Sequence, residues 1–218
     1  MEYLKPAEIE RESMAIIARE LSLRGIALPP EQAAVVKRVI HTTADFDYAA
    51  AFRFTAEAVA LGAEALRGGV LVTDTNMARA GVSERAAAKL GCTVRCYMAD
   101  ADVAEEARRR GVTRATVSME RALAEHPHAV FAIGNAPTAL LHLTAAIEAG
   151  ARPALIIGVP VGFVHVVESK EGALAACEKY CVPAIVAMGR KGGSNVAAAI
   201  CNALLYTAAG LLDPSARE

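Results

Sequence analysis

From residue 69 onward, short runs of Val, Ile and Ala alternate with longer amphipathic stretches. The runs at 70–73, 93–98, 129–133, 154–159 and 184–187 are brief, and several are apolar nearly throughout. Strands covered on both faces have this pattern. The stretches at 83–90, 103–110, 138–149, 170–179 and 194–209 carry helical spacing. Five repeated βα units imply right-handed crossovers and a parallel sheet with helices on both sides. The expected architecture is a flavodoxin-like three-layer α/β/α sandwich with a five-stranded parallel sheet. No repeat, low-complexity segment or linker interrupts it, so residues 1–218 are read as one domain.

Ahead of the sheet, the pattern predicts three extra helices. The first spans 7–23, with Ile9, Ile16 and Ile17 on its apolar side and Ser13 among them. A hydroxyl there either bonds back to the carbonyl four residues earlier or faces a pocket. The second spans 31–41 and begins after Pro29 and Pro30. Ala33, Val35, Val36, Val39 and Ile40 share one broad apolar side, while Arg38 and His41, three apart, share another. His41 therefore projects from the helix C-terminus, where the macrodipole favours a protonated imidazole. It is either a solvated helix-end histidine or a catalytic group. The third helix, rich in alanine, is expected over 48–66.

Composition narrows the function. Apolar residues make up 54%, enough for a sizeable core, but aromatics only 5% and Trp is absent, so that core is aliphatic. With 23 basic and 24 acidic residues the chain is no nucleic-acid platform, although a local basic cluster can still hold an acidic small molecule. No apolar run approaches the about 18 residues of a membrane span. The five cysteines, Cys92, Cys96, Cys177, Cys181 and Cys201, are odd in number and follow no secretory leader, which points to reduced thiols in the cytoplasm. Cys92 and Cys96 are expected on a strand, Cys177 and Cys181 on a helix. Their CxxxC spacing closes no four-ligand zinc site, so they are read as buried apolar thiols and no metal is expected.

Ligands of open parallel sheets bind beyond the carboxyl ends of the strands. Those ends read Asp74-Thr75-Asn76, Asp100 with Asp102, Gly134-Asn135-Ala136-Pro137-Thr138, Gly158-Val159-Pro160-Val161-Gly162 and Gly189-Arg190-Lys191-Gly192-Gly193-Ser194. The last leads into a helix, so Gly192, Gly193 and Ser194 offer backbone N–H groups to an anion while Arg190 and Lys191 add charge. The plainer reading is that the glycines serve tight turns and Asn135 caps the helix that Pro137 starts. The P-loop, dinucleotide and nucleophile-elbow motifs are all absent, and the HPH at 126–128 reads as a polar turn. One acid/base candidate and one anion cradle, with no cofactor motif, point to an isomerase, a hydrolytic or a binding role on a multi-anionic ligand.

Six stretches add a resemblance: ERESMAII (10–17), RVIHTTADFDYA (38–49), TDTNM (73–77), GNAPTAL (134–140), GVPVGFVHVVESKE (158–171) and RKGGSN (190–195). In this order, and along nearly the whole chain, they resemble the precorrin-8X methylmutase family of cobalamin biosynthesis. The resemblance implies a flavodoxin-like homodimer that moves a methyl group from C11 to C12 of a corrin precursor and consumes no cofactor. It places the catalytic histidine on His41 and substrate contacts on Ser13, Arg38, Ser83 and Arg114. Ser83 stands where some members carry threonine. Asn135, Gly192, Gly193 and Ser194 are taken with them as the substrate site. The TTADFDYA tail looks more like the branch whose substrate already holds cobalt. Two other classes compete: a corrinoid carrier that binds without converting, and a phosphoacceptor module built on Asp74, which lacks the acidic pair such modules need.

Overall fold

Between residues 5 and 217, which the computed structural model describes, all strands join one six-stranded sheet in the order β1-β6-β5-β4-β2-β3. The strands are β1 (Phe52–Phe54), β2 (Val70–Thr73), β3 (Thr93–Arg95), β4 (Val130–Ile133), β5 (Leu155–Gly158) and β6 (Ala184–Ala187). The last five run parallel, and β1 lies antiparallel against β6. Eleven α-helices surround them among the described residues. They are α1 (Pro6–Leu23), α2 (Pro30–Thr43), α3 (Tyr48–Ala51), α4 (Ala58–Ala65), α5 (Asn76–Gly81), α6 (Glu84–Leu90), α7 (Ala101–Arg110), α8 (Arg114–Glu125), α9 (Pro137–Glu148), α10 (Val166–Lys179) and α11 (Ser194–Ala209).

The period-two alternation of the strands divides the core. Leu71, Val130, Ala132, Leu155, Ile157 and Ile185 pack on one face with α1, α2, α4, α5, α6 and α11. Val72, Phe131, Ile133, Ile156 and Val186 pack on the other with α7, α8, α9 and α10. The strands β4, β5 and β6 are thus covered twice, which explains runs without polar residues.

The sheet is mixed and six-stranded, not parallel and five-stranded as the sequence suggested, because the expected helix 48–66 is broken. Phe52-Arg53-Phe54 alternates like a strand and pairs with Ala187, Val186 and Ile185. Thr55 then locks the edge: its N–H donates to the Ala184 carbonyl at 3.0 Å, and its hydroxyl accepts from the Ala184 N–H at 2.8 Å. Helical propensity averaged over an Ala-rich window loses to an open strand edge that two aromatic residues can cover. The strand expected over 93–98 stops at Arg95, so Cys92 and Cys96 flank β3 instead of lying on it. Two helices, α5 and α8, went unforeseen.

Four of the five thiols are buried, and burial pushes their pKa values up, that of Cys177 to about 12. Cys181 departs from the expectation. It is exposed and lies past the end of α10 with φ 55°. The Val182 N–H donates back to the Cys177 carbonyl at 2.9 Å, so Cys181 fills the left-handed position that usually belongs to glycine. Cys181→Gly is therefore expected to raise the unfolding free energy by about 0.5–1 kcal/mol in urea titrations. No helix among the described residues is long and apolar enough to cross a membrane.

Candidate functional site

At β2 the chain reverses its direction of growth across the sheet, since β3 lies on one side of it and β4 on the other. Asp74, immediately after β2, is fully buried at this point. One carboxylate oxygen accepts the Gly134 N–H at 2.9 Å, and the other accepts those of Asn135 and Ala136, both at 2.8 Å. Burial raises the pKa of this carboxyl, and the three donors pull it back only in part. The nest that elsewhere receives an anion is occupied from within. A phosphodonor has no access to Asp74, and the Asn135 backbone is fixed while its side chain remains exposed.

The loop after β4 touches the loop after β6. A Cβ on Gly134 would lie 2.8 Å from the Gly193 carbonyl oxygen and from the Ser194 Cα, and one on Gly192 would lie 2.1 Å from the Val159 oxygen. Only glycine fits at either place. The Gly193 N–H donates to the Val159 carbonyl at 2.9 Å, and the Ser194 hydroxyl meets that of Thr75 at 2.7 Å. Beneath the loop, the fully buried Lys170 donates to the Gly189 and Lys191 carbonyls at 2.8 and 2.7 Å. Burial brings its pKa down to about 8. Asn135, Gly192, Gly193 and Ser194 thus form one edge around the N-terminus of α11. Lys191 does not lend it free charge: its ammonium bridges Asp45 and Asp47 at 2.7 and 2.6 Å. Arg190 lies 5.6 Å from the ring of the exposed Phe163.

The same bridge ties this edge to α2. Val35, Val36, Val39 and Ile40 are buried as their spacing predicted. Arg38 pairs with Glu10 of α1 at 2.6 Å, and Glu10 also receives two bonds from Arg217 at 2.7 and 3.0 Å. Burial alone would raise the Glu10 pKa, but hydrogen bonds from Arg217 and Arg38 bring it below the usual carboxylate range. His41 is exposed beside this cluster, one turn before Asp45.

Where the helix end was expected to favour the imidazolium, the surroundings of His41 act in the opposite direction. Its pKa is lowered, by partial burial first and then by Arg38, with Glu10 opposing and Arg217 assisting. At the helix end the hydroxyls of Thr42 and Thr43 donate to the Arg38 and Val39 carbonyls at 3.0 and 2.8 Å, and the Ala44 N–H donates to that of Ile40 at 2.7 Å.

The remaining expected residues are dispersed. Ser13 donates to the Ile9 carbonyl at 2.8 Å, the local alternative named for it, and sits three residues from Glu10. Ser83 caps α6, accepting from the Ala86 N–H at 3.3 Å while its own N–H donates to Asn202 at 2.7 Å. Arg114 opens α8, whose cap Thr113 meets the Thr138 hydroxyl at 3.0 Å. That contact puts Arg114 at the carboxyl edge, in the helix layer on the opposite face from α2. Asp100 and Asp102 are taken by Arg121 at 3.1 and 2.8 Å. Reading the sequence missed Glu10, Lys170 and Arg217. Glu10 was signalled by its spacing from Ser13, whereas nothing local marked Arg217. Among the described residues, no group of three or more His, Cys, Asp or Glu is placed to hold a metal ion.

The chain is similar to known proteins along most of its length. The family profile described as precorrin-8X methylmutase matches residues 8–207. A cobalt-precorrin-8 methylmutase of Salmonella typhimurium is 43% identical over 212 residues, covering 94% of this chain and 98% of that protein. A protein of the same description from Priestia megaterium is 42% identical over 203 residues, 92% of this chain and 88% of that one. The crystal structure of a precorrin-8X methylmutase from Thermus thermophilus superposes with a TM-score of 0.85 at 39% identity, covering 93% of this chain and 96% of the other.

Proposed function

The chain belongs to the precorrin-8X methylmutase family, and from that premise we propose that it moves a methyl group from C11 to C12 of a corrin precursor, with His41 as the acid/base. The observation that carries this reading is the cluster of His41, Arg38 and Glu10 within the matched segment, tied by Asp45 and Lys191 to the glycine-lined edge. The substrate bears several acetate and propionate arms. Arg38 offers a rigid donor fork to one carboxylate, and Gly192, Gly193 and Ser194 offer the start of α11 to another. Held on several sides, the macrocycle keeps the migrating methyl aligned with its acceptor carbon. His41 supplies a proton or hydrogen bond to the conjugated ring as electron density shifts. A substrate carboxylate beside the ring favours its protonated form, so the proton is held by His41 in the complex although its pKa is lowered in the free protein.

Asn135, Ser13, Ser83 and Arg114 complete the proposed contacts. Arg114 lies across the sheet from α2, so the reading takes the protein as a homodimer in which a second copy brings its Arg114 toward His41. The whole chain, 1–218, is taken as one methylmutase domain. The order of the five parallel strands supports a flavodoxin-like core with β1 added at its edge. The free cysteines support a cytoplasmic setting. The relatives described as cobalt-precorrin-8 methylmutases favour a substrate that already holds cobalt. Neither cofactor, nucleic acid nor membrane enters the reading.

Incubation of the purified protein with cobalt-precorrin-8, and separately with metal-free precorrin-8X, followed by methyl-carbon NMR, tests it. A methyl signal moving to the C12 environment is the expected result. Tight binding of either compound with no change in the methyl signal would instead identify a carrier.

A further inference from the structure

Arg217 belongs to the turn Pro214–Arg217, beyond the segment 8–207 that the family profile matches. The turn is fastened to α1. Arg11 reaches Asp213 at 3.2 Å and also the Ser215 hydroxyl, and the Ser215 N–H donates to Asp213 at 2.9 Å. Fastened there, Arg217 holds Glu10 with two bonds, at 2.7 and 3.0 Å. Its guanidinium lies 4.3 Å from the centre of the Tyr206 ring, and that of Arg38 lies 5.3 Å from the same centre. Two arginines thus share one carboxylate and one aromatic ring. Among the described residues, Glu10 offsets only one of their two charges, and the buried Nε of Arg217 has no hydrogen-bond partner. A buried donor left unused is costly unless something supplies its acceptor.

We propose that Arg217 is a substrate-binding residue, the second arm of a two-arginine clamp with Arg38, and that a carboxylate arm of the corrin substrate supplies the second anion the clamp lacks. The proposal rests on the methylmutase reading above and adds a residue to its site. Paired guanidinium groups suit this task because each presents fixed donors to a planar carboxylate. Glu10 keeps the two arginines in place while the site is empty.

The clamp and a merely structural latch give opposite results in two variants. Arg217→Gln is expected to weaken binding of the product, hydrobyrinate or its cobalt form, by roughly 10–100-fold in an absorbance titration, the equivalent of one charge-assisted contact. Its effect on turnover should fall on KM, with kcat nearly unchanged. Glu10→Gln removes the competing carboxylate and is expected to bind product as tightly as the wild type or more tightly. If both variants weaken binding alike, the three residues only latch the turn to α1 and the proposal fails. It fails equally if Arg217→Gln binds as the wild type does, or lowers kcat alone. Circular dichroism and a urea titration of each variant separate these results from unfolding. If the wild type itself binds no corrin, the methylmutase reading falls before the clamp is tested.

Discussion

Replacing His41 by alanine is expected to lower kcat by roughly 10²–10⁴-fold, the usual contribution of a positioned acid or base. The fold should be untouched, because the side chain is exposed at the end of α2 and leaves no cavity when removed. An exposed substitution of this kind moves stability by no more than about 0.5 kcal/mol, so urea midpoints of variant and wild type should coincide. The pH profile gives a second, independent check. In the free protein, partial burial and then Arg38 hold the His41 pKa below 6.5. If His41 donates the proton, kcat/KM falls as pH rises through that lowered value, because this ratio reports the free enzyme. In the complex, substrate carboxylates beside the ring favour the imidazolium and raise the pKa. The limb in kcat should therefore lie at higher pH than the limb in kcat/KM. Coinciding limbs would mean that no substrate carboxylate lies near His41, and normal turnover by the alanine variant would falsify its assigned role.

Asp74→Asn is expected to be the most destabilising single-atom change at the sheet edge. The carboxylate accepts three backbone N–H groups, from Gly134, Asn135 and Ala136. An amide offers one oxygen, which keeps Asn135 and Ala136, and turns its own donors toward the Gly134 N–H. That donor loses its acceptor, so the expected loss is about 1–3 kcal/mol in a urea titration. Corrin binding should weaken with it, since Gly134 packs on Gly193 and Ser194 and a displaced β4 loop pushes directly on the start of α11. A loss below about 1 kcal/mol would show that the loop holds its shape without the carboxylate.

Much of the fold was legible along the chain. The four buried residues of α2 were found from spacing alone, and the five parallel strands from short β-rich runs, several of them apolar nearly throughout. Both signals arise from burial, which repeats with the period of the element and leaves a trace in every few residues. The edge strand β1 left a weaker trace. Three residues between two Ala-rich segments carry little periodicity, and what makes them a strand is the vacant side of β6, some 130 positions later in the chain.

The site divides in the same way. Residue types and their order were enough to single out His41, Arg38 and the loop from Gly192 to Ser194, because a titratable group off the apolar stripe and glycines before a helix are local features. The charge state of His41 was not local. It follows from partial burial and from Arg38, Glu10 and Arg217, the last of them 176 residues away. The same holds for Lys191, whose charge is absorbed by Asp45 and Asp47, and for Asp74, which proves to be a brace inside the sheet edge and not an open acid. Periodicity and turn chemistry act within a few residues of backbone, so they can be read without coordinates. Electrostatic partners are chosen by distance in space, and only the packed chain sets those distances.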